Sequence, residues 1–125
     1  MNALGPTLAP YIRSSRTLKK WVTPIAQWYA DLAGYRQYGL KYDDLQVEEF
    51  PEVQRGLARL TPREAYDRAY RMKVSLHQSV LHKPLPKEQW LAPKDDTRYL
   101  KPHIEAVIQE EEERAAWDSM TVTRK

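Results

Sequence analysis

The chain has 125 residues, and its three histidines, His77, His82 and His103, are the side chains best suited to metal binding or proton transfer near neutral pH. His77 and His82 are five positions apart, which on a helix corresponds to a rotation of about 140°. Two histidines that share a zinc ion on one helix are four positions apart, so this pair does not converge. The spacing favours surface or packing roles and predicts no metal site.

Carboxylates form two tight groups, Asp43–Asp44 and Glu110–Glu113. The first lies in a stretch without helical periodicity and the second follows the end of an apolar stripe, so both are interpreted as solvated. The chain has no cysteine, which excludes thiolate metal sites, disulfides and a cysteine nucleophile. Only four glycines are present and none builds a phosphate-binding loop. We therefore expect a protein without an active site or cofactor.

A basic stretch between residues 62 and 82 raises an alternative, a helical nucleic-acid-binding module. Its cations and aromatics are Arg63, Arg68, Arg71, Lys73, Tyr66 and Tyr70. Aromatic stacking beside cations is typical of single-strand binding. However, Glu64 and Asp67 interrupt the basic face, and no recognised module pattern is present. The favoured interpretation is that these arginines bridge to acidic neighbours.

Residues 15–33 carry the clearest apolar stripe. Its members are Leu18, Trp21, Val22, Ile25, Trp28, Tyr29 and Leu32. Spacings of three and four residues predict one amphipathic helix, with Gly34 after its end. Pro24 lies inside it and predicts a kink or break near Thr23.

The first turns of this helix and the residues just before it are basic. Arg13, Arg16, Lys19 and Lys20 occur with no acidic residue before Asp31. Such a composition is typical of a mitochondrial targeting segment, of an ordinary amphipathic helix and of a helix that lies on a membrane surface. Residues 1–14 contain two prolines and are predicted to be an extended segment.

The remaining chain predicts further helices. Pro51 opens a short helix over 51–60, and Thr61-Pro62-Arg63-Glu64 is a strong start signal for a long helix over 62–82. A proline-rich loop over 83–96 leads to a C-terminal helix over 97–118, which Asp96 or Thr97 would cap. The prediction is an all-α fold in a single domain, 1–125, with about four helices, long proline-rich loops, a small core and no significant sheet.

The loop sequence "LHKPLPKEQW" (81–90) contains two prolines and ends on a tryptophan. Pro84 ends the long helix, and Pro86 opens one turn that directs Trp90 back towards the helices. We interpret Trp90, Pro86 and Tyr99 as structural anchors of the link between the last two helices.

Trp and Tyr together occur twelve times and Phe once, a mixture typical of interfaces. The runs without charge are about ten residues long, shorter than the roughly twenty needed to span a bilayer. We expect partners to cover the tryptophan faces and the isolated chain to be poorly stable.

Four motifs in fixed order extend this interpretation: "WYADLAGYRQYGLKYDD", "YDRAYRMK", "LHKPLPKEQW" and "YLKPHIEAVI". Over residues 28–108 the chain resembles the 14 kDa subunit, or ubiquinone-binding protein, family of mitochondrial ubiquinol–cytochrome c reductase (complex III). The resemblance implies a helical, cofactor-free accessory subunit of that oxidoreductase complex. It implies a peripheral position on the matrix side of the inner membrane, against cytochrome b and the core subunits. A quinone-binding protein in its own right is a third class, for which apolar residues are few.

The resemblance also implies site residues. The basic helix would dock on the partners through Arg13, Arg16, Lys19, Lys20, Trp21, Trp28 and Tyr29. Lys19, Lys20 and Trp21 are candidates for contact with cardiolipin. An acidic pair at the position of Glu48 and Glu49 is proposed in fungal members near a proton-entry route, and Glu49 is the first candidate here.

Overall fold

The computed structural model describes residues 3–121, and over these residues the fold is built from α-helices and short 3-10 turns without strands. The five helices are α1 (Ala9–Ser14), α2 (Arg16–Leu32), α3 (Pro51–Ala58), α4 (Pro62–Val80) and α5 (Lys101–Asp118). Three 3-10 turns lie at Tyr35–Tyr38, Tyr42–Leu45 and Lys87–Gln89. The all-α prediction, with four helices longer than two turns and long connections, is confirmed.

The core lies between α3 and α5. Val53 of α3 packs against Leu100 and Ile104, and all three side chains are completely buried. Gly56 makes this approach possible, because a Cβ at position 56 would lie 3.1 Å from Ile104 Cγ1. Val107 is buried one turn further along α5. Few side chains fill this core, so most apolar surface of the chain lies elsewhere.

The long helix α4 begins at Pro62 with the expected capping box. The Glu64 amide donates to Thr61 Oγ1 at 3.3 Å, and the Thr61 amide donates to Glu64 Oε2 at 3.0 Å. The apolar residues Leu76 and Val80 of α4 do not form a core face, since both are exposed. The buried residue of α4 is Arg68. α4 is therefore attached to the rest of the chain largely through polar contacts.

The N-terminal segment departs from the expected extended conformation, because α1 forms within it. Pro10 lies in the first turn of α1, where a missing amide hydrogen costs no helical hydrogen bond. α1 packs against α2, which stabilises a helix that is too short to persist alone.

Of the kink or break expected near Thr23, the break does not occur, because α2 continues through Pro24. The proline removes a single backbone hydrogen bond from a helix of 17 residues. The Thr23 hydroxyl donates to the Lys19 carbonyl at 2.6 Å next to that position. Gly34 follows the helix at φ 75°, the left-handed conformation that a glycine after a helix provides.

α5 begins four residues later than expected. Asp96 does not cap it, because its carboxylate accepts hydrogen bonds from Tyr35, Arg36 and the Tyr42 amide instead. The cap is supplied from a distance: Asp43 Oδ2 accepts from the amides of Leu100 at 2.9 Å and Lys101 at 3.1 Å. A tertiary contact thus replaces the local signal at the start of α5.

Candidate functional site

The most exposed apolar surface follows one side of α2. Trp21, Ile25, Trp28 and Leu32 recur every three or four residues, so their side chains share one face. Trp21 is 75% exposed and Trp28 is 64% exposed. Tyr29 lies beside them and is also exposed, and no residue of α2 is buried. We call Trp21, Ile25, Trp28, Tyr29 and Leu32 the α2 face.

The four predicted docking cations lie on α1 and in the first turns of α2. Arg13 is in the last turn of α1, Arg16 begins α2, and Lys19 and Lys20 follow in its first turns. All four side chains are exposed, and none forms an ion pair with the described residues. The structure therefore brings the predicted docking residues onto one helical hairpin. Within residues 3–121, no helix is long and apolar enough to cross a bilayer.

The C-terminal end of α2 is fixed to the body of the chain by Asp96. Arg36 donates to Asp96 Oδ2 from Nε at 3.1 Å and from Nη2 at 3.0 Å, and its Nη1 donates to Asp31 at 2.9 Å. Tyr35 also donates to Asp96, and burial together with this bond raises the pKa of Tyr35 to about 12. Burial alone would raise the pKa of Asp96, but hydrogen bonds from Tyr35, the Tyr42 amide and Arg36 lower it overall.

Asp44 is the centre of a second buried cluster. Its carboxylate accepts from Arg71 Nε at 2.7 Å, from Arg71 Nη2 at 2.9 Å and from Arg68 Nη1 at 3.3 Å. The Tyr99 hydroxyl and the Lys41 amide complete the set of donors. We call Asp44, Arg68, Arg71 and Tyr99 the Asp44 cluster. It joins α4 to the turn at Tyr42–Leu45 and to the segment before α5.

Charge and hydrogen bonding in the Asp44 cluster favour an ionised carboxylate. Burial by itself raises the pKa of Asp44, but hydrogen bonds from Arg71, Tyr99 and the Lys41 amide outweigh it and lower the pKa below its ordinary value. Burial and the bond to Asp44 raise the pKa of Tyr99 to about 12. The cluster is thus a charged structural clamp whose donors and acceptors are satisfied.

These contacts correct the interpretation of Asp43–Asp44 as solvated, whereas Glu110–Glu113 lies on the surface as expected. Asp43 and Asp44 are buried, and they were missed because their partners lie 24 to 58 positions away along the chain. At the other group, Glu110 receives two hydrogen bonds from Arg59, and Glu111 pairs with Arg55. These pairs link α5 to α3 on the surface. The bridging role favoured for the arginines applies to Arg68 and Arg71, which leaves little of a nucleic-acid-binding face.

The two acids proposed for proton entry lie in different environments. Glu48 pairs with Arg68 of the Asp44 cluster, while its side chain stays 59% exposed. Glu49 is exposed and forms no ion pair with the described residues. Glu48 is therefore paired with the Asp44 cluster, whereas Glu49 is exposed to solvent.

The proline-rich link lies against the turn at Tyr35–Tyr38. The Leu85 amide donates to the Gln37 carbonyl at 3.0 Å, and the Leu91 amide donates to the Arg36 carbonyl at 3.1 Å. Trp90 Nε1 donates to the Leu85 carbonyl at 2.7 Å, which closes the loop on itself. Pro86 precedes the turn at Lys87–Gln89 and accepts from the Gln89 amide at 2.8 Å. Trp90 and Pro86 thus make their contacts within the chain.

The histidines do not form a metal site in the described part of the chain, where no group of three or more His, Asp or Glu side chains is placed to hold a metal ion. His77 and His82 lie near the end of α4, while His103 is in the first turn of α5.

Comparisons with known proteins agree with the sequence motifs. A family model described as "Ubiquinol-cytochrome C reductase complex 14kD subunit" matches residues 16–115. The chain is 40% identical to "Cytochrome b-c1 complex subunit 7" of Neurospora crassa over 96% of this chain and 98% of the relative. It is 42% identical to "Cytochrome b-c1 complex subunit 7, mitochondrial" of Saccharomyces cerevisiae over 85% of this chain and 86% of that protein. The chain therefore belongs to the 14 kDa subunit family of the ubiquinol–cytochrome c reductase complex, mitochondrial complex III.

Proposed function

We propose that this complex III subunit acts as a non-catalytic structural and assembly subunit that docks on the matrix side of the inner membrane. Its partners are cytochrome b and the core subunits, and it supports electron transfer from ubiquinol to cytochrome c. The observation that carries the docking proposal is the α2 face, a row of exposed tryptophan, tyrosine and aliphatic side chains. Contiguous apolar patches of this kind mark interaction sites in soluble proteins.

The chemistry of the α2 face supports a protein partner. Tryptophan, tyrosine and arginine are the residues that contribute most of the binding energy at protein interfaces. Trp21 and Trp28 lie two helical turns apart, far enough to fill two separate pockets of a partner. The basic flank supplies long-range attraction to an acidic partner surface.

The body of the chain supports the same proposal. The Asp96 contacts fix the end of α2, and the Asp44 cluster fixes α4, so the helices are held in position by buried ion pairs. A fixed orientation lowers the entropic cost of binding several subunits at once. We infer that the residues of the Asp44 cluster and the partners of Asp96 hold the docking surfaces in position and do not contact substrate.

Glu49 is proposed to take part in proton uptake near the quinone-reducing site. Its exposure and lack of an ion pair among the described residues favour it over Glu48, which Arg68 holds. A Glu49→Gln complex is expected to lose quinol turnover at the alkaline side of its pH profile, where protons are scarce. Glu48→Gln is the matched control. An unchanged turnover and pH profile in Glu49→Gln would remove this residue from the proposal.

A nucleic-acid-binding function is not favoured. Arg68 and Arg71 would have to leave Asp44 to reach a phosphate backbone, which would break a buried ion pair.

The docking proposal is tested by incorporation into the complex. Cells that lack their own copy of the subunit would express the wild-type chain, the variant Trp21→Ser/Trp28→Ser, or Trp117→Ser. Trp117 is a matched control because it is 72% exposed and lies on α5, away from the α2 face.

On a native gel, the wild-type chain and Trp117→Ser are expected to co-migrate with the haem-bearing complex. The double variant is expected to be imported but largely absent from the complex. Normal incorporation of the double variant, with the same amount of complex, would contradict docking through the α2 face.

A further inference from the structure

A groove between α1 and α2 lies outside the proposed docking surface, and its lining combines apolar and basic residues. It has a volume of about 410 Å³. Its lining residues are Ala9, Ile12, Arg13, Lys19, Val22, Thr23, Ala26, Gln27 and Arg36. Ala9, Ile12, Val22 and Ala26 give it apolar walls, and cations occupy its rim. The groove therefore presents an apolar channel beside positive charge.

The cations of the rim differ in their availability. Arg36 is committed to Asp31 and Asp96. Arg13 and Lys19 have no carboxylate partner among residues 3–121, and both side chains are exposed. The sequence offers no acid before Asp31 that would neutralise them. Arg13 and Lys19 are thus the two groove residues that can contact an anion.

We propose that this groove binds an anionic phospholipid, with an acyl chain along Ile12, Val22 and Ala26 and the phosphate between Arg13 and Lys19. The ligand must combine an apolar part with a negative group, because both surfaces occur in one groove. A free phosphate ion would leave the apolar walls uncovered. An acidic peptide would pair with the cations but gain little from those walls.

The surroundings of the groove agree with a position at a membrane surface. Arg16 and Lys20 add positive charge next to the groove, and basic clusters attract anionic lipid surfaces. The inference rests on the proposed peripheral position at the inner membrane, and it names the lipid chemistry of that contact.

The test uses the purified full chain and two water-soluble probes, dihexanoyl phosphatidylglycerol and dihexanoyl phosphatidylcholine, below their micelle concentrations. Binding is followed by NMR through the methyl groups of Ile12, Val22 and Ala26. The phosphatidylglycerol probe is expected to shift these methyl signals, and the phosphatidylcholine probe to bind several-fold more weakly. Inorganic phosphate at the same concentration is expected to leave them in place.

Two variants distinguish the contribution of the rim cations to lipid binding from that of the apolar walls of the groove. Arg13→Gln/Lys19→Gln removes both rim cations, with Lys73→Gln/Lys83→Gln as a charge-matched control on and after α4. Ala26→Phe fills the groove and leaves the charge unchanged. In sedimentation with phosphatidylcholine vesicles that contain phosphatidylglycerol, loss of the rim cations is expected to weaken binding by about thirtyfold. Ala26→Phe is expected to abolish the methyl shifts caused by the short-chain probe.

Several results would overturn the inference. They are equal binding of the two probes, equal shifts with inorganic phosphate, shifts outside the groove, or normal probe binding by Ala26→Phe. Binding to vesicles alone would assign lipid contact to the surface of α2 and not to the groove. Native-gel incorporation of the same variants separates the two proposals. An assembled chain that binds no lipid overturns only this inference, and a lipid-binding chain that never assembles overturns only the proposed docking.

Discussion

The α3–α5 pair and α2 use the same kind of apolar spacing with opposite results. In the α3–α5 pair, Val53, Leu100 and Ile104 are completely buried. In α2, 17 residues include no buried side chain although two tryptophans lie on its face. The first region closes its apolar surface within the chain, whereas the second leaves it uncovered.

The difference teaches that helical periodicity identifies an apolar face but not what covers it. Gly56 lets α5 approach α3 closely, and Asp43 fixes the start of α5, so this pair has specific means to pack. α2 is held mainly at its ends, by α1 and by the Arg36 contacts to Asp31 and Asp96. Complex III membership gives the uncovered face a reason, because partner subunits can bury it.

The largest effect on the folded body is expected from Asp44→Asn. It removes the charge that pairs with Arg68 and Arg71, and breaking a buried ion pair typically costs about 3–5 kcal/mol. Chemical denaturation of the purified chain measures this loss in the free energy of unfolding.

Glu48→Gln is the control for Asp44→Asn. Glu48 touches the same Arg68 from a largely exposed position, so its loss is expected to cost less than about 1 kcal/mol. Equal effects of the two substitutions would show that the Asp44 cluster does not stabilise the body.

A smaller effect is expected from Ile104→Ala, which creates a cavity between α3 and α5. Truncation of a buried isoleucine typically costs about 2–5 kcal/mol. The control is Ile25→Ala on the α2 face, which is exposed in the isolated chain and should change the free energy of unfolding by less than about 0.5 kcal/mol. Comparable losses at the two positions would abolish the distinction between a closed and an uncovered apolar surface.

The free energy of unfolding of the chain should fall at both extremes of pH. The pKa values of Asp44 and Asp96 are lowered by folding, so the stability they contribute is present above about pH 4 and is lost as pH falls towards their folded pKa values. The pKa values of Tyr35 and Tyr99 are raised to about 12, so their contribution is present below about pH 10 and is lost as pH rises towards 12.

Unfolding measured from pH 2 to pH 12 checks these signs. The acid loss should be shallower in Asp44→Asn, and the alkaline loss should be shallower in Tyr99→Phe. If the free energy of unfolding of Asp44→Asn fell at low pH as steeply as that of the wild type, the assignment of a lowered pKa to Asp44 would be contradicted.

The smallest effect on the isolated chain is expected from Trp21→Ser/Trp28→Ser. Both side chains are exposed, so the free energy of unfolding should change by less than about 0.5 kcal/mol for each substitution. The same variant is expected to lose incorporation into complex III. A large loss of stability in the isolated chain would mean that the tryptophans pack within it.

The sequence predicts the features that depend on residues close together in the chain, such as helix starts and apolar faces. The capping box at Thr61 and Glu64 defines the start of α4, and the apolar spacing defines α2. It does not predict that Asp43 caps α5, because the bond to the Leu100 amide closes 57 positions of chain. Nor does it predict that Arg68 would be the buried residue of α4, since a buried arginine depends on an acid placed by tertiary structure.

Hydrogen exchange of α2 in the isolated chain and in assembled complex III tests the central claim most directly. If partners cover the α2 face, amides of Arg16–Leu32 should exchange fast in the isolated chain and at least tenfold more slowly in the complex. Amides of α3 and α5 should be protected to similar degrees in both states. Strong protection of α2 in the isolated chain, or no gain of protection on assembly, would contradict the account.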